Sequence, residues 1–259
     1  STLAQVVGIK FNRIQFTPDL LPADILGTQI YHQKTGDFVV KQGAIFSNLL
    51  LADEVNRAPA KVQSALLEAM QEKQVTIGDT SYELEKPFVV IATQNPLDQQ
   101  GTYPLPEAQQ DRFMMKLKIA YPTREEERGI MDRFTDGNYQ EPELREVITG
   151  KDIMFYREKI GEIFVDDRIK DYVLDIVTAT RKPSPYIACG ASPRASLNLI
   201  KAAKGLAFIK GRDYVTPDDI KAMVYDVLRH RIILTYEAEA EDMTVEAYIS
   251  SLLDNILVP

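Results

Sequence analysis

Short apolar segments that alternate with a helical pattern are the feature of this sequence that most restricts its fold. Residues 45–52 and 88–93 have the composition of buried strands, and residues 13–17 and 115–119 also have strand patterns. Between the two buried segments, Pro59 suits the first turn of a helix whose apolar residues recur at helical spacing. Buried strands that alternate with helices predict an α/β fold with a largely parallel sheet covered by helices.

The second half of the chain has a different pattern from the first. A hairpin is predicted over residues 74–84, but the later part of the sequence indicates helices only. Ser192 and Thr216 are residue types that cap helices, and each is followed by a proline that suits a first helical turn. We therefore predict an α/β core domain of residues 1–121 and an all-helical domain of residues 122–259.

Composition excludes several classes of protein. The chain has 30 Lys and Arg against 38 Asp and Glu, and this net charge of −8 argues against broad nucleic-acid binding. The apolar runs are far shorter than the ~18 residues that a membrane span needs, and the first residues lack the basic segment of a signal peptide. The single cysteine, Cys189, favours a reducing compartment, so we expect a cytoplasmic protein.

Two acidic residues, Asp53 and Glu54, directly follow the buried segment 45–52. In open parallel sheets, ligands bind at the carboxyl ends of the strands. An aspartate at this place can hold Mg²⁺, usually through water, and the following glutamate can orient or deprotonate an attacking water. The alternative interpretation is a pair of solvated acids at the end of a strand.

Three further residues are candidates for phosphate chemistry. Asn95 follows the next buried strand and can bind both a phosphate oxygen and a water, although Asn-Pro also forms ordinary turns. Arg112 can be presented to a neighbouring subunit, or it can be a surface residue or pair with Asp111. Arg194 lies in the first turn of a predicted helix, where it can join an anion site or remain solvated. His230 is expected to be solvated or to cap a helix.

The order of these residues along the chain strongly resembles the AAA+ ATPases, and within them the MoxR family. The resemblance covers nearly the whole sequence and is carried by six stretches: RIQFTPDLLP (13–22), LADEVNRAP (51–59), QSALLEAM (63–70), ATQNP (92–96), GTYPLPEAQ (101–109) and GASPRA (190–195). It implies an α/β AAA+ core followed by a helical lid, ATP and Mg²⁺ as cofactors, and an ATP hydrolase.

The resemblance also implies a role for each candidate residue. Asp53 matches the metal-coordinating residue of the Walker B pair, and Glu54 matches its water-activating residue. Asn95 matches sensor 1, which contacts the nucleotide and positions water. Arg112 matches the arginine finger that reaches the nucleotide of the neighbouring subunit, and Arg194 matches sensor 2 on the lid.

One element of the family pattern does not occur in the sequence. There is no G-x-x-x-x-G-K-[ST] loop, which cradles phosphates with its backbone N–H groups and a lysine. The family pattern places this loop, with the first strand, before Ser1, so we expect that the sequence begins after them. If the natural protein began at Ser1, nucleotide hydrolysis would not be expected. Gln110 also replaces a residue that is usually apolar in the family, which concerns only local packing.

The resemblance implies a ring of identical subunits, expected to be a hexamer, that couples ATP hydrolysis to chaperone-like work on other proteins. That work would be remodelling, maturation or metal-cofactor insertion, with von Willebrand A domain proteins as partners. Two alternatives stay open at this point. One is a scaffold or assembly protein that keeps the fold without hydrolysis, and the other is a chelatase-type or nucleic-acid motor of the AAA+ class.

Overall fold

The computed structural model describes residues 2–34, 36–95, 103–135 and 143–259. In chain order, the elements of these residues are α1 (Thr2–Val7), β1 (Phe11–Gln15), α2 (Pro22–Leu26), β2 (Gly27–His32), β3 (Asp37–Gln42), β4 (Leu49–Asp53), a 3₁₀ turn (Val55–Arg57), α3 (Ala60–Glu72), β5 (Gln74–Ile77), β6 (Thr80–Glu83), β7 (Val89–Ala92), α4 (Glu107–Gln110), α5 (Arg124–Thr135), α6 (Gly150–Glu162), α7 (Asp167–Ala179), β8 (Ile187–Cys189), α8 (Pro193–Ile209), α9 (Pro217–Leu228), β9 (Ile233–Leu234), α10 (Tyr236–Ala240) and α11 (Val245–Asp254).

Three parallel strands form the central sheet, in the order β1-β4-β7. Gln15 pairs with Asp53 across β1 and β4, and Ala52 pairs with Ala92 across β4 and β7. The predicted parallel sheet is confirmed, although β4 begins at Leu49 rather than at residue 45. Because the strands are parallel, Asp53 and the residues after Ala92 lie at the same edge of the sheet.

Helix α3 covers the sheet and also fixes the turn that follows β4. Its apolar stripe is buried, and Leu66 is fully inaccessible to solvent. The amide of Gln63, which is buried on the same helix, donates hydrogen bonds to the carbonyl oxygens of Val55, Ala58 and Tyr103 at 3.2, 3.1 and 2.9 Å. Buried carbonyl groups need such partners, so Gln63 ties the turn to the helix.

The helices of the lid pack around their own hydrophobic cluster, which is separate from the cluster of buried residues in the core domain. Helices α7, α8, α9 and α11 contribute its largest fully buried side chains, which are Tyr172, Ile176, Leu199, Ile220, Leu228 and Ile249. The predicted caps are present: Ser192 accepts a hydrogen bond from the backbone N–H of Arg194, and Thr216 forms a capping box with Asp219. Both oxygens of the buried Asp219 also accept hydrogen bonds from Arg212, at 2.6 and 2.7 Å.

Two sequence predictions of secondary structure need correction, and one hairpin was missed. The lid is not wholly helical, because β8 and β9 form a small antiparallel sheet. Residues 115–119 do not form a strand, since among the described residues no strand lies beside them to accept the backbone hydrogen bonds. The hairpin of β2 and β3 was not predicted, whereas the predicted hairpin over residues 74–84 is confirmed as β5 and β6.

Two stretches that carry the family resemblance fall partly outside the described residues, namely 92–96 at residue 96 and 101–109 at residues 101 and 102. Asn95 itself is described. In the described ranges, we find no helix with the length and apolarity required to cross a membrane.

Candidate functional site

The carboxylate of Asp53 lies at the end of β4 and is held by two neighbouring strands. The hydroxyl of Thr93, just after β7, donates a hydrogen bond of 2.5 Å to Oδ1, and Nε of Arg13 on β1 donates one of 3.1 Å to Oδ2. The bond from Thr93, followed by the bond and charge of Arg13, holds the pKa of Asp53 below its ordinary value. The carboxylate is therefore ionised at neutral pH and acts only as an acceptor.

Glu54 leaves β4 with a left-handed backbone conformation, at φ 54° and ψ 50°. Its backbone N–H donates a 2.8 Å hydrogen bond to the hydroxyl of Thr93. Its Oε2 atom lies 2.9 Å from Nε2 of Gln15 and 3.0 Å from Nε of Arg57. Non-glycine residues in this conformation are uncommon and often occur at functional sites, because the surrounding structure must compensate for the strain.

Asn95 lies at the same edge of the sheet as the two acids. The backbone of Thr93, two residues earlier, is joined to the β4 side of the site: its N–H donates to Ala52, and its carbonyl accepts from the N–H of Val55. These two bonds continue the pairing of β4 with β7 past the last residue of β7. The chain that leads to Asn95 is therefore held beside β4, at the edge of the sheet where Asp53 lies.

Arg194 lies at the start of α8 and is held by Asp111 from the end of α4. Its Nη1 atom lies 3.2 Å from Oδ2 of Asp111, and the hydroxyl of Ser192 lies 2.8 and 2.9 Å from the two carboxylate oxygens. Nε of Arg231, after α9, donates a 2.9 Å hydrogen bond to Oδ1. We call these four residues, Asp111, Ser192, Arg194 and Arg231, the Asp111 cluster.

The Asp111 cluster joins the segment after α4 to two helices of the lid. Burial alone would raise the pKa of Asp111, but hydrogen bonds from Ser192 and Arg194 and the charge of Arg231 hold this pKa below its ordinary value. The carboxylate therefore stays charged between two guanidinium groups. The proposed alternative of an Asp111–Arg112 ion pair is not what the structure shows, since Asp111 pairs with Arg194 and Arg231 instead.

Arg112 is exposed and faces α3 rather than the lid. Its side chain lines a cavity of about 340 Å³ together with Gln109 and five residues of α3, namely Ser64, Leu67, Glu68, Gln71 and Glu72. The carboxylates of α3 thus share this space with the guanidinium. Exposure on the surface is what a residue needs if it is to act on a neighbouring molecule.

The histidine of the segment Arg229-His230-Arg231 is buried, so the expectation that it is solvated or caps a helix is wrong. Its Nε2 atom lies 3.1 Å from the carbonyl oxygen of Phe113, which fixes the neutral ring with the proton on Nε2. Its Nδ1 atom is buried and has no hydrogen-bond partner in the described part of the chain. Burial, together with the charge of Arg231, lowers the pKa of His230 to about 4.

The buried His230 should make the fold sensitive to acid. With a pKa of about 4 in the folded protein, against 6.5 when unfolded, it binds a proton more readily in the unfolded state, so stability is lost as the pH falls through this window. Between pH 7 and pH 5, we expect this group to lower the free energy of unfolding by about 2 kcal/mol. Urea unfolding at both pH values checks this. His230→Gln keeps a donor for Phe113 and should lose less stability; an equal loss in both proteins would contradict the assignment.

Sequence reasoning missed the residues that hold the site in place. Thr93 joins Asp53 to Glu54, and Arg13 and Gln15 reach both acids from β1. In the register of β1 with β4, Gln15 lies beside Asp53. This register would have indicated the β1 residues, but it can be assigned only when the pairing of the strands is known. No pattern in the sequence pointed to Arg231, because its partners at Asp111, Phe113 and Met114 are more than 100 positions away.

The carboxylate ligand that Asp53 offers suits a metal ion that also binds a phosphate. The described residues contain no group of three or more His, Cys, Asp or Glu that could enclose a metal ion. Asp53 is ionised and keeps part of its surface exposed, with a side-chain accessibility of 19%. Mg²⁺ is commonly held by one or two carboxylates together with water and substrate phosphates, so one carboxylate fits this use.

Comparisons with known proteins are consistent with this geometry. The profile of the ATPase family associated with various cellular activities (AAA) matches residues 1–115, and that of the AAA lid domain matches residues 180–252. Chaperone MoxR1 of Mycobacterium tuberculosis is 48% identical over 100% of this chain and 70% of its own length. The protein YeaC of Bacillus subtilis is 44% identical over 99% of this chain and 80% of its own length.

A solved structure agrees with the fold over the full length of the chain. A candidate ATPase from Cytophaga hutchinsonii has a TM-score of 0.92 at 50% sequence identity, and the match covers 100% of this chain and 80% of the other. The expected combination of a parallel sheet, covering helices and a lid is therefore confirmed.

Proposed function

Because the chain belongs to the MoxR family of AAA+ ATPases, we propose that it hydrolyses ATP in a ring of subunits and uses the energy to remodel other proteins. The observation that carries this proposal is the meeting of Asp53 and Glu54 with Thr93 at the carboxyl edge of β4 and β7. An ionised aspartate, a glutamate on a constrained turn and an asparagine after the next strand are groups that can hold a metal ion and orient water for hydrolysis of a phosphoanhydride.

Asp53 is the residue that would hold Mg²⁺. Bound Mg²⁺ would supply charge neutralisation on the phosphate oxygens. The chain's part is to keep the carboxylate ionised and oriented, which Thr93 and Arg13 do from two sides. The division of the chain into a core of residues 1–121 and a lid of residues 122–259 belongs to the same proposal, and the two separate hydrophobic clusters support it.

Glu54 acts as the base that orients and deprotonates the attacking water. Its left-handed backbone and the bonds from Gln15 and Arg57 restrict where the carboxylate can lie. Asn95 assists by fixing the same water with its amide. Arg194 contacts the terminal phosphate from the lid, and this contact is supported by its place in the first turn of α8, where backbone N–H groups also favour anions.

Arg112 acts on the site of the neighbouring subunit. Its exposure and its position beside α3 support contact with a second copy of the chain. A finger that works between subunits requires a closed head-to-tail ring, and we propose a hexamer. The energy would serve remodelling, maturation or metal-cofactor insertion in cytoplasmic partner proteins that include von Willebrand A domains; the chaperone name of a relative supports this direction.

The proposal is tested by ATP turnover of the full-length protein with and without Mg²⁺. We expect turnover that requires Mg²⁺ and that falls at least ~100-fold in Asp53→Ala, since removal of the metal ligand removes charge neutralisation in the transition state. Asp175→Ala, on the outer surface of α7, is the matched control and should behave as the parent protein. If the parent protein binds ATP but never releases phosphate, the chain is a non-hydrolysing scaffold and the proposal is wrong.

A further inference from the structure

The backbone on either side of Arg112 is held by one buried guanidinium. Arg231 has no exposed side-chain surface. It donates to the carbonyl oxygens of Asp111 at 3.0 Å and Met114 at 3.3 Å, and also to that of Phe113. These carbonyl groups lie before and after Arg112 in the chain. A planar guanidinium with fixed donor directions restrains such a segment more firmly than a single contact could.

Arg231 and Arg194 both pair with the carboxylate of Asp111, but they differ in their exposure to solvent. The Arg231 side chain is fully buried, whereas that of Arg194 is 48% exposed and makes one 3.2 Å contact with Asp111. The contact to Arg231 is therefore costly to break, because a buried guanidinium that lost its partner would be an uncompensated charge. The contact to Arg194 can be given up at little cost, since an exposed ion pair contributes little.

We propose that Asp111 and Arg231 are positioning residues that set the place of Arg112 and connect it to Arg194. This inference rests on the proposed function, in which Arg112 and Arg194 contact nucleotides in two adjacent sites. Asp111 holds Arg194 while no phosphate competes for it. When Arg194 moves to a phosphate, Asp111 loses one of its two cationic partners. The turn that carries Arg112 then changes position. The state of one site is thereby reported to the next subunit.

The decisive variant is Asp111→Asn, which keeps the shape of the side chain and removes its charge. We expect kcat to fall by about 10- to 100-fold, because a small displacement of a group that acts in the transition state has effects of this size. The dissociation constant for a fluorescent ATP analogue should stay the same or decrease, because Arg194 no longer has a carboxylate that competes with phosphate. A loss of ATP affinity in parallel with kcat would overturn the inference.

A second measurement separates positioning from damage to the fold. Asp111→Asn subunits keep Glu54, and Glu54→Gln subunits keep an undisturbed Arg112, so a mixture of the two should be more active than either alone. Asp219→Asn is the matched control, since it removes a buried partner of Arg212 in the same lid. It should lower the melting temperature without the separate effects on kcat and affinity. An unrescued mixture, or equal kinetic behaviour of the two variants, would overturn the inference.

If Asp111→Asn fails to fold, the double variant Asp111→Asn/Arg231→Met takes its place. It removes both charges of the buried pair, which proteins commonly tolerate better than the loss of one. The same fall in kcat and the same rescue by Glu54→Gln subunits are expected. Failure of the proposed function can be distinguished from failure of this inference. It would appear as an inactive parent protein or as full activity in Arg112→Ala. Failure of this inference alone leaves the parent active and Arg112→Ala impaired.

Discussion

Replacing Glu54 by glutamine is expected to reduce ATP turnover at least ~100-fold, which is the contribution typical of a general base. Glutamine keeps the size of the side chain and can still accept hydrogen bonds from Gln15 and Arg57, so the turn after β4 should be preserved. What it loses is the ability to take a proton from water. Binding of ATP should therefore persist while release of phosphate stops.

Two measurements check this expectation, namely steady-state phosphate release and equilibrium binding of ATP. Glu162→Gln, which removes an exposed carboxylate paired with Lys159 on the lid, is the matched control and should leave both quantities unchanged. Unaltered turnover in Glu54→Gln would exclude Glu54 as the base. Loss of binding together with turnover would instead indicate a structural role for this turn.

Replacing Arg112 by alanine is expected to lower kcat by about 10³-fold or more, as is found when an arginine finger is removed. The reason is that its guanidinium neutralises charge that develops on the transferred phosphoryl group. Arg112 is exposed on the side of α3, so its removal should leave the buried core and the melting temperature unaffected. The defect should therefore appear in kcat while each subunit still binds ATP.

Mixed rings show whether Arg112 acts on its own subunit or on the next one. In an equal mixture of Arg112→Ala and Glu54→Gln subunits, roughly a quarter of the interfaces combine an intact base with an intact finger, by the head-to-tail geometry of a ring. The mixture should thus recover part of the activity that neither variant has alone. If it recovers none, Arg112 does not act between subunits. Arg124→Ala, another exposed arginine of the chain, serves as the control.

The local features of the sequence were sufficient to place the strands and helices that carry the proposed site. Continuous apolar runs identified β4 and β7, and the parallel arrangement put Asp53 and Asn95 at one edge. The cap at Ser192 located the start of α8 and hence Arg194. Each of these features depends on residues close together in the chain, where periodicity and capping preferences act.

Segments whose structure depends on a distant partner were predicted less well. Residues 115–119 have the alternation of a strand, but a strand exists only where a neighbour accepts its hydrogen bonds. The backbone N–H of Lys116 donates instead to the carbonyl oxygen of Asp226 in α9. His230 looked solvated because its neighbours in sequence are arginines, yet it is buried against Phe113.

The sequence by itself determined the class of fold, the order of the core and lid, and the identity of the candidate residues, because these follow from patterns over a few consecutive positions. Only the tertiary structure showed that Thr93 joins Asp53 to Glu54 and that Asp111 lies between Arg194 and Arg231. The physical reason is that hydrogen bonds and ion pairs depend on distance in space. Residues separated by 40 to 120 positions come within 3 Å only once the strands have paired and the lid has packed.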